Sequence, residues 1–135
     1  MQESRSKSMT IEEKRKYPRL ALGIEDGYFG KFKLANDESL VGPLVNISAG
    51  GLNLAAPEKA SHRIKVGDRL VMLSIAGGAN FAFLRHIQAE IRWINKSETP
   101  GYLSVGLEFM EMAEDVREQL AKFVSSERTA RGQYN

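Results

Sequence analysis

Residues 81–95, FAFLRHIQAEIRWIN, contain the longest strand-like pattern in the chain. From residue 87 onward, apolar and polar residues alternate with the two-residue period of a half-buried strand. The apolar positions, predicted to share one face, are Ile87, Ala89, Ile91 and Trp93. The turn-forming sequence SETPG follows, and YLSVGLEFM (residues 102–110) then resumes the strand pattern. These segments predict two antiparallel strands joined by a tight connection.

Similar short runs occupy the preceding part of the chain. They are LALGIEDGYFGKFKL (20–34), SLVGPLVNIS (39–48), GLNLAAP (51–57) and DRLVMLSI (68–75). Pro43 predicts an edge or a bulge within the second run. About six antiparallel strands with close turns, and no helices between them, favour a barrel or a sandwich over a parallel α/β sheet.

The C-terminal segment has a different period. A helix is predicted over about residues 112–129, with acidic residues early and basic residues late, as the helix dipole favours. Its apolar face is predicted to comprise Val116, Leu120, Phe123 and Val124. The fold class is therefore mainly β, with one C-terminal α-helix.

Composition excludes several classes of function. The chain has 135 residues, 42% of them hydrophobic and 27% charged, which fits one globular domain. It has no cysteine, no apolar run long enough to span a membrane and no signal sequence, so a cytoplasmic protein is expected. His62 and His86 lack partners at catalytic or metal-binding spacing. We therefore expect no enzyme, no catalytic residue, no metal site and no cofactor.

The positive charge is concentrated near the N-terminus. The net charge of the whole chain is +2, yet residues 1–19 contain six cations and three glutamates. The cations are Arg5, Lys7, Lys14, Arg15, Lys16 and Arg19. We expect a flexible leader over 1–12, a basic arm over 13–19 and a flexible tail over 130–135. This distribution indicates a local anion site.

Two motifs could form that site. In the first, RKYPR, Arg15 and Arg19 could each donate two hydrogen bonds to a phosphate or a guanine edge, although a solvated leader has the same composition. In the second, NISAGG (46–51), Asn46 and Ser48 are predicted to share a face and could bind a base or cap their own turn. Gly50 and Gly51 would allow a positive φ or a close backbone approach.

The combination of RxxxR with NxSxxG resembles the PilZ domain family. AEIRWI (89–94), VGLEFM (105–110) and the closing helix add to the similarity, which extends from about residue 13 to residue 124. The resemblance implies a PilZ domain over 13–125: a six-stranded antiparallel β-barrel over 20–110 with a C-terminal α-helix. The implied ligand is the bacterial second messenger cyclic di-GMP, which carries two phosphates and two guanines.

The resemblance also implies roles for individual residues. Arg15 and Arg19 would clamp phosphate and guanine, Asn46 and Ser48 would meet a guanine edge, and Gly50 and Gly51 would let the base approach. Many relatives have aspartate at the position of Asn46, so a different set of hydrogen bonds is expected.

Secondary candidates are less defined. Many relatives have arginine in place of Lys14, so the ligand could bind singly or, slightly favoured, as a stacked pair. Lys16 could attract phosphate or be solvated. Trp93 could stack on the ligand, although a core position on the face of Ile91 is the favoured reading.

By the same resemblance, the chain is a sensor or adaptor whose arm orders over the ligand and signals to an effector protein of unknown identity. Regulation of motility or biofilm formation is implied, with no membrane partner and either a monomer or a homodimer. One alternative is a PilZ-like protein-interaction module that binds no nucleotide. A less favoured one is a barrel for single-stranded nucleic acid, which would need more exposed aromatic residues.

Overall fold

The computed structural model describes residues 16–133. Seven strands lie in this range: β1 (Leu20–Ala21), β2 (Phe29–Lys33), β3 (Ser39–Ser48), β4 (Gly51–Pro57), β5 (Arg69–Ala76), β6 (Ile87–Lys96) and β7 (Tyr102–Met110). One α-helix, α1 (Glu114–Ala130), follows them. Short 3₁₀ helices span Ile24–Asp26 and Glu58–His62.

Six of these strands form a closed antiparallel barrel. The strand order is β3-β2-β5-β6-β7-β4, and β4 pairs back with β3. The two residues of β1 lie beside the far end of β3, where Leu20 pairs with Ile47 and Ala21 with Asn46. The predicted barrel with a C-terminal helix is confirmed. Because β1 follows the basic arm directly, its pairing with β3 brings the arm to the end of β3.

The inward side chains fill the barrel with a continuous apolar core, in which Phe32, Met72 and Ile91 are fully buried. Helix α1 adds Leu120 and Val124 to this core, with Val116 and Phe123 partly buried beside them. The predicted apolar face of the helix is therefore confirmed. No helix within residues 16–133 has the length and hydropathy to cross a membrane.

The strand predicted from residues 81–95 begins later than expected. Phe81 and Leu84 are fully buried but lie in a turn, and β6 begins at Ile87. His86 has a φ of 54°, a left-handed conformation that interrupts an extended chain. The apolar residues before it thus reach the core from a loop.

A second difference arises from a bulge inside β6. Ile91 pairs with Leu107 of β7, but the next pair is Trp93 with Gly106, so the register shifts by one residue. The prediction that Trp93 shares the face of Ile91 is wrong, because the extra residue turns Trp93 to the outer face. A similar shift between Leu44 and Asn46 confirms the bulge predicted near Pro43.

Candidate functional site

The turn between β3 and β4, residues 48–51, forms one edge of the candidate site. Ser48 Oγ accepts a hydrogen bond from the Gly50 N–H at 3.1 Å and donates one to the Gly51 carbonyl at 3.4 Å. Ser48 is buried and its hydroxyl caps its own turn, one of the two roles its sequence context predicted. One lone pair of this hydroxyl is left for a further donor.

The two glycines of this turn are required by close contacts. A Cβ on Gly51 would lie 2.0 Å from the Leu107 carbonyl oxygen, and one on Gly50 would lie 2.8 Å from the Tyr17 ring. Neither glycine has a positive φ, so the turn does not use the left-handed conformation that glycine would allow. The expected close approach of backbone is confirmed, and it makes the turn low and flat beside β7.

Four strands present a row of outward residues next to the turn. Asn46 of β3 pairs with Asn53 of β4, Asn53 pairs with Gly106 of β7, and Gly106 pairs with Trp93 of β6. The indole covers Gly106 so closely that a Cβ there would lie 2.2 Å from the Trp93 ring. The row therefore forms a floor with two amides at one end and an aromatic ring at the other.

The amides of this floor differ in their bonding. Asn53 Oδ1 accepts a hydrogen bond from Ser104 Oγ at 3.1 Å, so the amide nitrogen of Asn53 points away from Ser104. The half-buried amide of Asn46 has no hydrogen-bonding partner among residues 16–133. Donor and acceptor groups are thus available on this floor for a ligand.

Residues 16–19 of the basic arm approach the floor from the side of β1. The Tyr17 ring packs on Gly50, and the Arg117 guanidinium of α1 lies over this ring, 5.5 Å from its centre. Arg117 also donates a hydrogen bond from Nη1 to the Ala49 carbonyl at 2.7 Å. The Lys16 ammonium lies 5.5 Å from the centre of the same ring. Arm, turn and helix therefore meet at Tyr17.

These elements enclose a cleft of about 540 Å³, a size typical of small-molecule sites. Its lining residues are Lys16, Tyr17, Arg19, Asn46, Ser48, Gly50, Gly51, Leu52, Asn53, Arg92, Trp93, Gly106, Leu107, Glu108, Phe109 and Arg117. Four are cations and one is a carboxylate, so the cleft favours an anionic ligand. Arg92 is partly neutralised by ion pairs to Glu108 at 3.2 Å and Glu90 at 3.4 Å.

The cleft brings most of the predicted site residues together. Arg19, Asn46, Ser48, Gly50 and Gly51 all line it, as do the secondary candidates Lys16 and Trp93. Arg15 and Lys14 lie outside the described residues. The role of each residue in binding stays a prediction.

Sequence reasoning missed five polar contributors: Tyr17, Asn53, Arg92, Glu108 and Arg117. Alternation in GLNL places Asn53 opposite the buried Leu52 and Leu54, so its outward direction could have been found. Arg117 carries no such signal, because only the docking of α1 brings it to the turn. Among residues 16–133, no three His, Asp or Glu side chains are grouped to hold a metal ion.

A second polar cluster lies where α1 ends, against β1 and the 3₁₀ helix that follows it. Arg131 Nη1 and Nη2 donate to the two carboxylate oxygens of Asp26 at 3.1 and 2.9 Å. The Gln133 side chain accepts from the Ala21 N–H at 2.8 Å and donates to the Ala21 carbonyl at 3.2 Å. We call these four residues the clasp. Hydrogen bonding from Arg131, then from the Gly23 N–H, lowers the pKa of Asp26.

Comparison with known proteins adds independent findings. A sequence model of the PilZ domain matches residues 13–126. Comparison with curated protein sequences gives no match.

Several solved structures share the fold. The PilZ domain of YcgR from Escherichia coli, with c-di-GMP, is 24% identical with a TM-score of 0.71, covering 88% of this chain and 95% of that one. The longer E. coli YcgR in complex with c-di-GMP is 26% identical with a TM-score of 0.64, covering 88% and 48%. The inhibitor of motility MotI from Bacillus subtilis is 20% identical with a TM-score of 0.66, covering 86% and 52%. The chain thus spans about half the length of the latter two proteins.

Proposed function

The chain belongs to the PilZ domain family, and we propose that it binds cyclic di-GMP in the cleft and acts as a sensor or adaptor without enzymatic activity. The observation that carries this proposal is the convergence of Arg19, Asn46 and the turn at residues 48–51 on one cationic cleft. The solved complexes of E. coli YcgR with c-di-GMP support the choice of ligand.

The charges of the cleft suit a ligand with two phosphates. Arg19 and Lys16 approach from the arm and Arg117 from the helix. Arg15, which precedes the described residues, would add a second arginine of the arm. Guanidinium groups bind phosphate through paired hydrogen bonds, and their flat faces also stack on bases. We therefore assign phosphate binding and guanine stacking to the two arginines of the arm.

The polar floor suits the guanine edge. Asn46 and Ser48 offer an amide and a hydroxyl from neighbouring outward positions, while Gly51 keeps the turn flat enough for a base to approach. The Asn46 amide has one accepting oxygen, so it can accept from guanine N1–H or N2–H, and its NH₂ group can donate to another acceptor. The half-exposed Trp93 ring offers a stacking surface at the other end.

Signalling would follow from movement of the basic arm. Ligand contacts from Arg15 would draw residues 13–15 onto the cleft that Lys16, Tyr17 and Arg19 already line, which changes the surface that a partner protein can contact near β1. The contacts must exceed the conformational free energy of ordering the arm. Motility control is a reasonable output, because MotI is an inhibitor of motility.

Isothermal titration calorimetry with cyclic di-GMP tests the proposal. The native chain should release or absorb heat on binding, and the fitted stoichiometry distinguishes one ligand from a stacked pair. Arg19→Ala should weaken binding about 100-fold or more, because it removes two charge-assisted hydrogen bonds. Arg85→Ala is the matched control: it removes an exposed arginine that does not line the cleft, and its affinity should be native.

Three outcomes would contradict the proposal. A native titration without heat at several temperatures would favour a protein-interaction module that binds no nucleotide. Equal binding by the native chain and Arg19→Ala would overturn the role of the arm. Tight binding of single-stranded RNA at moderate salt, without competition from cyclic di-GMP, would favour the nucleic-acid alternative.

A further inference from the structure

We propose that Arg117 of α1 is a positioning residue of the ligand cleft, which holds Tyr17, and through it Arg19, against the turn before the ligand arrives. The inference rests on the proposed function for its effect on affinity. Its structural part concerns the ligand-free chain and can be tested separately.

Arg117 contacts two separate parts of the cleft at once. Its Nη1 donates to the Ala49 carbonyl at 2.7 Å, and Ala49 is 2% exposed. Its guanidinium carbon lies 5.5 Å from the centre of the Tyr17 ring, which packs on Gly50. A guanidinium above an aromatic ring is attracted by the negative face of that ring. Arg117 therefore links the helix, the turn and the arm.

The position of Tyr17 fixes the position of Arg19. Only Pro18 separates the two residues, and its ring locks its own φ and favours an extended Tyr17. The chain then enters β1 at Leu20, which is fixed by pairing with Ile47. Arg19 is thus held between an aromatic residue anchored by Arg117 and a strand anchored by β3.

The observed contacts favour positioning over direct phosphate binding by Arg117. If the guanidinium turned toward a ligand, both the Ala49 hydrogen bond and the ring contact would be lost. Keeping them places Arg19 and the turn for the ligand at no further ordering cost. A positioning residue needs the planar shape of arginine, whereas electrostatic attraction needs only a positive charge.

The first experiment compares affinities for cyclic di-GMP. Arg117→Ala and Arg117→Lys should both weaken binding about tenfold, the scale of a lost cation–ring contact together with a hydrogen bond. Lys122→Ala removes an exposed positive charge from the same helix and should bind as the native chain does. Native affinity in Arg117→Lys would overturn the proposal, because charge alone would then suffice.

A double-mutant cycle tests whether Arg117 acts through Tyr17. Tyr17→Ala should also weaken binding, and the double variant should bind little worse than either single variant, since both remove the same contact. Tyr17→Phe keeps the ring, so adding Arg117→Ala to this variant should weaken binding by the same factor as Arg117→Ala does in the native chain. Additive losses in the double variant would overturn the positioning role.

The second experiment needs no ligand. In nuclear magnetic resonance spectra of the free protein, Arg117→Ala and Arg117→Gln should shift the Tyr17 ring and Gly50 amide signals toward those of a mobile chain. Lys122→Ala should leave these signals in place. Unchanged signals in the Arg117 variants would overturn the inference. If the signals shift but native protein binds no cyclic di-GMP, the contact stands and the proposed function fails.

Discussion

The two ends of α1 contact the barrel in different ways. At its C-terminal end, the clasp joins Arg131 to Asp26 and Gln133 to Ala21 through four directed hydrogen bonds. Near its N-terminal end, Arg117 makes one hydrogen bond to the turn and lies over the ring of Tyr17. One end is joined by two pairs of hydrogen bonds, and the other by a single hydrogen bond together with a ring contact of less restricted geometry.

This difference gives the two ends different roles. The clasp holds Ala21, only two residues after Arg19, so it anchors the base of the basic arm. Arg117 contacts Tyr17, the part of the arm that precedes Arg19 and already lines the cleft. A fixed base with an adjustable arm lets ligand binding change the arm without unfolding the strand that follows it. The clasp should therefore govern stability, and the Arg117 contact should govern affinity.

The largest effect is expected from the turn that Arg117 contacts. Gly51→Ala should lower the free energy of unfolding by about 2–3 kcal/mol, because its Cβ would lie 2.0 Å from the Leu107 carbonyl oxygen. Gly132→Ala, beside the clasp, is the matched control. Its φ of 74° strains an alanine but the space around it is open, so about 1 kcal/mol is expected. Urea denaturation measures both, and equal losses would show that the turn tolerates displacement.

The sequence was sufficient for much of this fold and for part of the cleft. Alternation and turn residues predicted the strands, and the apolar period of α1 predicted the burial of Leu120 and Val124. The direction of Trp93 was missed, because one extra residue in β6 reverses every position after it and leaves the composition unchanged. Arg117 was missed because its partners, Tyr17 and Ala49, are distant in sequence.

The clasp is tested most directly by Arg131→Ala. We expect a loss of about 1–2 kcal/mol in the free energy of unfolding, since two charge-assisted hydrogen bonds to Asp26 and one to Glu127 disappear while both carboxylates can be rehydrated. The affinity for cyclic di-GMP should stay native, opposite to Arg117→Ala. Calorimetric titration and urea denaturation of the two variants measure the contrast. A tenfold loss of affinity in Arg131→Ala would erase the distinction between the ends of the helix.

Lowering the pH should reduce the stability that the clasp provides. Hydrogen bonding from Arg131 lowers the pKa of folded Asp26 below its ordinary value of 3.8. The Asp26 carboxylate therefore adds stability at pH values above 3.8, and this contribution is lost as the pH falls through the lowered pKa of the folded state. Asp26→Asn should have a lower free energy of unfolding than the native chain at neutral pH, and this loss should be smaller than the loss in Arg131→Ala. At acidic pH the free energies of unfolding of Asp26→Asn and the native chain should converge.

A second carboxyl group with a lowered pKa, that of Glu38, serves as the control for this acid dependence. Hydrogen bonding from Arg63 lowers the pKa of the exposed Glu38, which lies away from α1. Glu38→Gln should change the acid response less, since solvent screens this pair. If Glu38→Gln removes as much acid-sensitive stability as Asp26→Asn, the response does not come from the clasp.

The smallest effect is expected at Gln133, whose amide pairs with the backbone of Ala21 as a neighbouring strand would. Gln133→Ala should cost about 0.5–1 kcal/mol, because water can replace both partners at this exposed edge. Gln133→Glu keeps an acceptor for the Ala21 N–H but places a carboxylate oxygen against the Ala21 carbonyl. It should therefore be no more stable than Gln133→Ala in urea denaturation at neutral pH. If Gln133→Glu instead retains native stability, the bond from the Ala21 N–H alone holds the base of the arm, and the donor half of the pairing contributes nothing.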